Sequence, residues 1–135
     1  MPRYSSHSES YFSRAFGKLD ALAEALRVIV TDNQVDTLVG SGLSGTLVVP
    51  SLARACDVPF WAIVRKEKTT HTSRLVEGAI GDRWLFVDDF ISSGDTLRRT
   101  RNEVNYVADG SVLVGTFVYE LGAGGQFTPA ASLYY

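Results

Sequence analysis

The sequence predicts an α/β fold, a mostly parallel sheet flanked by helices, formed as a single domain by residues 1–135. Three observations predict it. Short apolar stretches rich in β-branched and aromatic residues alternate with stretches of helical period, the order that builds a parallel sheet covered on both faces. One stretch, VPFWAIV (58–64), is apolar without interruption, as suits a strand buried on both sides. Finally, a glycine-rich segment, the pair Arg65-Lys66 and the pair Asp88-Asp89 each follow a predicted strand. Open α/β sheets bind ligands at the carboxyl ends of their strands.

Composition narrows the function classes. A chain of 135 residues is about one domain, long enough for one packed core but too short for a six-strand dinucleotide fold with a substrate domain. Hydrophobic residues are 45% and charged residues 21%, as in an ordinary soluble globule. The net charge of −2 gives no bulk field to recruit nucleic acid or an acidic membrane. The lone Cys56 excludes an internal disulfide and a cysteine-based zinc site. No apolar run approaches the ~18 residues of a membrane span, and MPRYSSHSES lacks the apolar core of a signal peptide. The expectation is a cytoplasmic protein.

In chain order, residues 1–10 are polar and Ser-rich, a loose arm in which His7 is expected to be disordered. Residues 11–30 place Phe12, Phe16, Leu19, Leu22, Ala23, Leu26 and Ile29 at steps of three and four, an amphipathic helix that TDNQVD then breaks. TLVG (37–40) is a short strand feeding the glycine segment. TLVVPSLARAC (46–56) reads as helix, with Pro50 best suited to a first turn or a kink. After the strand at 58–64, residues 65–82 are polar and read as a long mobile loop. RWLFVDD (83–89) is a third strand ending in two carboxylates. Leu97, Val104 and Val107 give 96–109 a helical period, SVLVGTFVYE (111–120) is a fourth strand, and 121–135 is a glycine-rich aromatic tail. Trp61 and Trp84 read as core, and Arg98, Arg99 and Arg101 as a solvated helix face rather than an RNA patch.

The stretch LFVDDFISSGDTL carries the most chemistry. Small residues at a helix N-terminus expose backbone N–H groups where an anion is favoured. Ser92, Ser93 and Thr96 add hydroxyls, and Gly94 permits a turn that a Cβ would hinder. One phosphate fits there. Asp88 and Asp89 would repel it on contact and are better suited to sugar hydroxyls or to a divalent metal. A phosphate and a diol one sugar apart describe ribose 5-phosphate. Read blandly, the same segment is a helix cap, with Asp95 or Ser93 bonding the first N–H groups; a pair of acids after a buried strand needs more explanation, because buried unpaired carboxylates are costly.

Residues 84–97 resemble the phosphoribosyl-pyrophosphate (PRPP) signature of type I phosphoribosyltransferases: an apolar strand, two acids, two mostly apolar positions, then small or hydroxyl residues, Gly, a variable residue and Thr. The resemblance implies that Asp88 and Asp89 hold the ribose hydroxyls. It implies equally that Ser92, Ser93, Gly94, Asp95 (by its backbone) and Thr96 cradle the 5-phosphate. VRKEKTTH (64–71) is similar to the start of the catalytic loop in orotate-type members, although Lys68 stands one position earlier than the usual lysine. The order of elements extends the likeness over roughly residues 11–120.

The same likeness gives GSGLSG (40–45) a meaning. As a lone G-x-G-x-x-G it is a weak dinucleotide signal; the acid wanted about 20 residues on would be Glu67, crowded by Arg65-Lys66. A purely structural glycine turn is the other bland reading. In the family this position is the pyrophosphate loop, which implies that Ser41, Gly42, Leu43, Ser44 and Gly45, with Arg65 and Lys66, hold the pyrophosphate. Many members carry Lys or Arg where this chain has Ser44, so the loop is short of one charge.

The implied reaction displaces pyrophosphate from C1 of PRPP by a nucleobase nitrogen, with Lys68, His71 and Arg74 as catalytic residues that neutralise the leaving group. Mg2+ enters with PRPP, without direct protein ligands, Asp88 and Asp89 reaching it at most through water. The implied partners are PRPP, a nucleobase and a second copy of the chain in a homodimer, without membrane or nucleic acid. Members recognise the base with a hood outside the sheet. Here it is minimal, drawn from 1–15 and 121–135, where Tyr4, Tyr11, Phe12, Phe127, Tyr134 and Tyr135 are candidates to stack on a base. The Ser92 position is an aspartate in hypoxanthine-type enzymes, and the loop resemblance favours orotate or a related pyrimidine. The rival function is a PRPP sensor that binds without turnover.

Overall fold

In the computed structural model, which describes residues 19–65, 75–120 and 124–133, the alternating periods of the sequence become alternating elements. Helix α1 is Leu19–Asn33, β1 is Thr37–Ser41, α2 is Gly42–Ala55, β2 is Phe60–Val64 and β3 is Val76–Gly78. Then follow β4 (Arg83–Asp88), α3 (Asp95–Val107), β5 (Val112–Val118), β6 (Gln126–Pro129) and a 3-10 turn at Ala130–Ser132. The strands form one six-stranded sheet in the order β3-β2-β1-β4-β5-β6. Its four inner strands are parallel, and the short edges β3 and β6 are antiparallel.

The period of two along each strand divides the core into two layers. Leu38, Ile63, Leu85 and Val87 pack with Leu22 and Leu26 of α1 and Val48, Val49 and Leu52 of α2. Val39, Ala62, Val64, Trp84 and Phe86 pack on the opposite face with Leu97 and Val104 of α3. The inner strands are therefore buried on both sides, and their near-continuous apolar runs are the sequence signature of that burial. No described helix is long and apolar enough to cross a membrane.

Several expectations need correction. Helix α1 continues through Thr31–Asn33, past the expected break, because Val35 and not Thr31 is where the chain turns in to the core. Helix α2 starts at Gly42, so Pro50 falls in its interior rather than its first turn. Trp84 is fully buried, but Trp61 is 39% exposed. The β2–β3 register covers only Ala62–Val64, which leaves Phe60 and Trp61 beyond the end of the edge strand. Part of the expected 65–82 loop is ordered, since Val76–Gly78 make that edge strand. In the tail, Phe127 is half-buried against the α1–α2 core and pairs with Phe117 across β5 and β6. Its ring serves packing, not a base.

The amino edge of the sheet is closed by one carboxylate. Asp36 Oδ1 accepts from the Thr37 hydroxyl at 2.7 Å and from Arg83 N at 3.0 Å, and its Oδ2 accepts from Asp82 N at 2.9 Å. Thr37 Oγ1 accepts in turn from Gly81 N at 2.8 Å. The turn into β4 is thereby tied to the start of β1. Burial pushes the Asp36 carboxyl up, but the bonds from Thr37, Asp82 and Arg83 outweigh it and hold its pKa below the ordinary 3.8. A folded pKa below the unfolded one gives stability that is complete above the unfolded value and lost as pH falls through the folded value. Asp36→Asn is therefore expected to melt at a lower temperature than the parent at pH 7, with the gap narrowing as the pH falls below 3.8. Thermal melts across that range test it; a gap of constant size would mean that the charge of Asp36 contributes nothing.

Candidate functional site

Because β1, β2, β4 and β5 are parallel, their carboxyl ends lie along one edge. Ser41 pairs with Val64, and Asp88 with Val118. Val39 pairs with Phe86, so two residues further on Ser41 and Asp88 come alongside one another. Both continue the rows of Val39 and of Trp84–Phe86, which face α3. The glycine segment and the acid pair, 43 or more residues apart in sequence by their numbering, thus share one edge.

GSGLSG is not a free loop. Gly40 and Ser41 end β1, and Gly42 through Gly45 form the first turn of α2. Gly42 makes the corner at φ +66°. A Cβ on Gly40 would lie 2.8 Å from Gly45 Cα, and one on Gly45 would lie 2.9 Å from the Gly40 carbonyl carbon. Strand and helix therefore meet backbone to backbone, which brings the helix N-terminus to the sheet edge. Ser41 occupies the N-cap position but does not cap. Its hydroxyl donates to the Val64 carbonyl at 2.9 Å and accepts from Arg99 Nη2 at 3.1 Å. The first N–H groups of α2 are left without a side-chain cap, as an anion requires. Leu43 is exposed at this turn, and Ser44 lies within it.

The acid pair ends β4. Asp88 is buried, and its Oδ1 accepts from Asp89 N at 2.9 Å. Asp89 is half-buried, and its Oδ1 accepts from Phe90 N at 2.8 Å. Tyr119 N and Glu120 N donate to the carbonyls of Asp88 and Asp89 at 3.0 and 3.2 Å, so β5 supports the turn from beneath. Asp88 and residues 90–97 line a small pocket open to solvent. Gly94 is the buried N-cap of α3 in the left-handed region at φ +84°, with no side chain to cap it. The bland cap reading holds in part, because Ser93 Oγ accepts from Asp95 N at 3.3 Å. The Asp95 carboxylate does not cap; it pairs with Arg98, which also donates to the Ser93 carbonyl at 3.4 Å. Ser92, Ser93 and Asp95 are exposed around the pocket and Thr96 is half-exposed, while the Asp95 N–H is already donated to Ser93 Oγ.

Arg65 stands one residue beyond β2 on the same edge, its Nη2 3.3 Å from Glu77 Oε1 of β3. Of the other expected cations, Lys66, Lys68, His71 and Arg74 lie outside the described residues, as do Tyr4, Tyr11, Phe12, Tyr134 and Tyr135. The arginine triplet divides. Arg98 and Arg101 are exposed, but Arg99 is half-buried and reaches Ser41. Nothing in the sequence separates Arg99 from its neighbours beyond its place on the flank of the buried row Leu97–Thr100–Val104.

No protein-family model matches the sequence. An orotate phosphoribosyltransferase of Pyrococcus abyssi is 31% identical over 87 residues, 63% of this chain and 47% of that protein. The crystal structure of orotate phosphoribosyltransferase from Francisella tularensis superposes with a TM-score of 0.57 at 20% identity, covering 74% of this chain and 48% of that one. Adenine phosphoribosyltransferase from Saccharomyces cerevisiae, in complex with an imino-altritol 1,6-bisphosphate and adenine, gives 0.54 at 26% identity over 72% and 62%. The chain spans about half the length of the orotate relatives it matches. It has the type I phosphoribosyltransferase fold, the class that the acid pair and the two helix N-termini on one sheet edge also point to.

Gly45→Ala places a methyl group against the Gly40 backbone, where no side chain can yield. Overpacking of this kind costs about 1–3 kcal/mol. The variant is expected to be less stable than the parent by that amount in chemical denaturation, and a parent-like stability would show that the strand–helix contact is loose.

Proposed function

We propose that the chain binds PRPP along the carboxyl edge of the sheet and transfers its 5-phosphoribosyl group to a nucleobase nitrogen. The observation that carries this reading is the Asp88–Asp89 pair sharing one sheet edge with two helix N-termini, neither of which has a side-chain cap at its N-cap position. One N-terminus suits the 5-phosphate, the other the pyrophosphate, and the acids suit the ribose hydroxyls between them. That the yeast neighbour is named with a bisphosphate and adenine is in keeping with two phosphate-binding helix N-termini on one edge.

In the reaction the C1–O bond to pyrophosphate breaks and a C1–N bond to the base forms. The leaving electron pair goes to the pyrophosphate, and positive charge builds on the ribose ring. Fixed N–H groups at the α2 N-terminus act on that developing negative charge without having to reorient. Lys68, His71 and Arg74 are proposed to neutralise it further, and Arg65 and Lys66 to hold it before and during departure. Mg2+ would enter with PRPP, with Asp88 and Asp89 reaching it at most through water. When bound, the ion supplies charge neutralisation of the pyrophosphate. A pyrimidine, orotate-like base is favoured by the 31% identical relative, while the adenine neighbours keep purines in the panel to be tested. A homodimer in the cytoplasm completes the reading.

Incubation with PRPP, Mg2+ and a panel of bases, following pyrophosphate release, is the direct test. Release with at least one base is expected. Tight PRPP binding with no release from any base would leave the sensor function in its place, which the uncharged Ser44 favours. Replacing both acids with Asn removes charge-assisted hydrogen bonds worth roughly 1.5–3 kcal/mol each. Asp88→Asn/Asp89→Asn should therefore weaken PRPP binding at least about tenfold in calorimetry, and a folded double variant that binds as the parent does would sink the ribose assignment.

The cations are separable from the acids by kinetics. Lys68→Ala/His71→Ala should lower kcat more than it weakens PRPP binding, because those groups act on charge that appears only as the bond breaks. A variant that turns over normally at saturation and loses only affinity would exclude them from the chemical step.

A further inference from the structure

The N-terminus of α3 carries an acid of its own at the place where a phosphate is proposed to bind. The first intrahelical bond runs from Arg98 N to the Gly94 carbonyl at 2.9 Å. The N–H groups of Thr96 and Leu97 precede that bond and belong to the open end of the helix. Asp95 stands in the same first turn and lines the same pocket as Ser92 and Ser93. A carboxylate there is drawn to the N–H groups and dipole that also attract a phosphate. Left to itself, it competes with the ligand for the helix end and repels it.

The carboxylate is held elsewhere. Asp95 Oδ1 pairs with Arg98 Nη2, and Arg98 Nη1 donates at the same time to the Ser93 carbonyl at 3.4 Å. Ser93 and Asp95 flank Gly94, the left-handed corner at φ +84°. The planar fork of one guanidinium therefore grips the loop on both sides of its corner, which the point charge of an ammonium does not do. The spacing of three residues is one at which side chains on a helix meet. An exposed pair of this kind adds little stability; its consequence is where it leaves the carboxylate. Gly94 has no side chain with which to cap the helix, and the Asp95 carboxylate does not replace one.

We propose that Arg98 is a positioning residue for the 5-phosphate half of the site. It draws the Asp95 carboxylate off the helix end and leaves Thr96 N and Leu97 N to an anion. The proposal rests on the PRPP reading above and adds to it the device by which a phosphate loop that contains an acid still takes a phosphate.

Calorimetric titrations with ribose 5-phosphate and with Mg2+ pyrophosphate test it in the parent, Arg98→Gln, Asp95→Ala and the double variant. Both side chains are exposed, where substitutions disturb the fold least. Arg98→Gln releases the carboxylate. Ribose 5-phosphate should then bind roughly fivefold more weakly, the loss that corresponds to one competing helix cap, and pyrophosphate should bind as it does to the parent. With Asp95→Ala there is no carboxylate to release, so the double variant should bind ribose 5-phosphate as tightly as Asp95→Ala alone. Ribose 5-phosphate binding equal to the parent's in Arg98→Gln overturns the proposal. A loss that persists undiminished in the double variant overturns it too, because Arg98 would then act by its own charge and not through Asp95. An equal loss of both ligands in Arg98→Gln marks general damage to the fold and also overturns it. Should Arg98→Gln fail to fold, Arg98→Met is read in the same way. A parent that binds neither ligand refutes the PRPP reading itself, whereas a parent that binds both beside an unaffected Arg98→Gln refutes only the role of Arg98.

Discussion

The contact on which the rest of the structure depends is the backbone approach between Gly40 and Gly45. With a Cβ on either residue the separation would fall to 2.8–2.9 Å, too close for any side chain. Their absence lets α2 start at the sheet edge instead of after a loop. That places the unbonded N–H groups of its first turn beside the ends of β1 and β2. It also points Ser41 toward the Val64 carbonyl and Arg99. A looser junction would leave the same residues in the same order but spread them over a mobile loop, and the fixed donors that suit an anion would be lost.

The two edges of the sheet divide stability from chemistry. At the amino edge, Asp36 accepts hydrogen bonds from Thr37, Asp82 and Arg83, and its carboxylate is consumed in tying a turn. At the carboxyl edge, Asp88 and Asp89 each accept a backbone N–H that fixes their orientation, and Ser92 and Ser93 are exposed. The same residue types serve opposite ends, closed where the fold is held and open where a ligand is proposed to bind.

The inner strands were legible because burial on both faces demands apolar residues at every position, and VPFWAIV, RWLFVDD and SVLVGTFVYE answer that demand. The edge strands were not. Val76–Gly78 is three residues long and two of the three are Glu and Gly, and Gln126–Pro129 carries a proline; both are strands because an existing sheet edge offers partners, not because their side chains ask for it. Trp61 misled for a related reason: its residue type signals burial, but the short β3 stops before reaching it. Phe127 looked like a stacking ring until the β5–β6 register put it opposite Phe117.

The acid pair, the small residues before α3 and the glycines at 40, 42 and 45 were readable from sequence alone, since the requirements they meet are local: a left-handed corner, a helix N-terminus, a strand end. Local chemistry does not depend on the rest of the chain, so a string of residues carries it. What only the tertiary structure decided is non-local. Arg98, Arg99 and Arg101 are alike as letters, and only the packing of α3 against β1 turns the second of them inward to Ser41. The alignment of Ser41 with Asp88 follows from the pairing of Val39 with Phe86, a register set by a whole hydrophobic layer and written in no single segment.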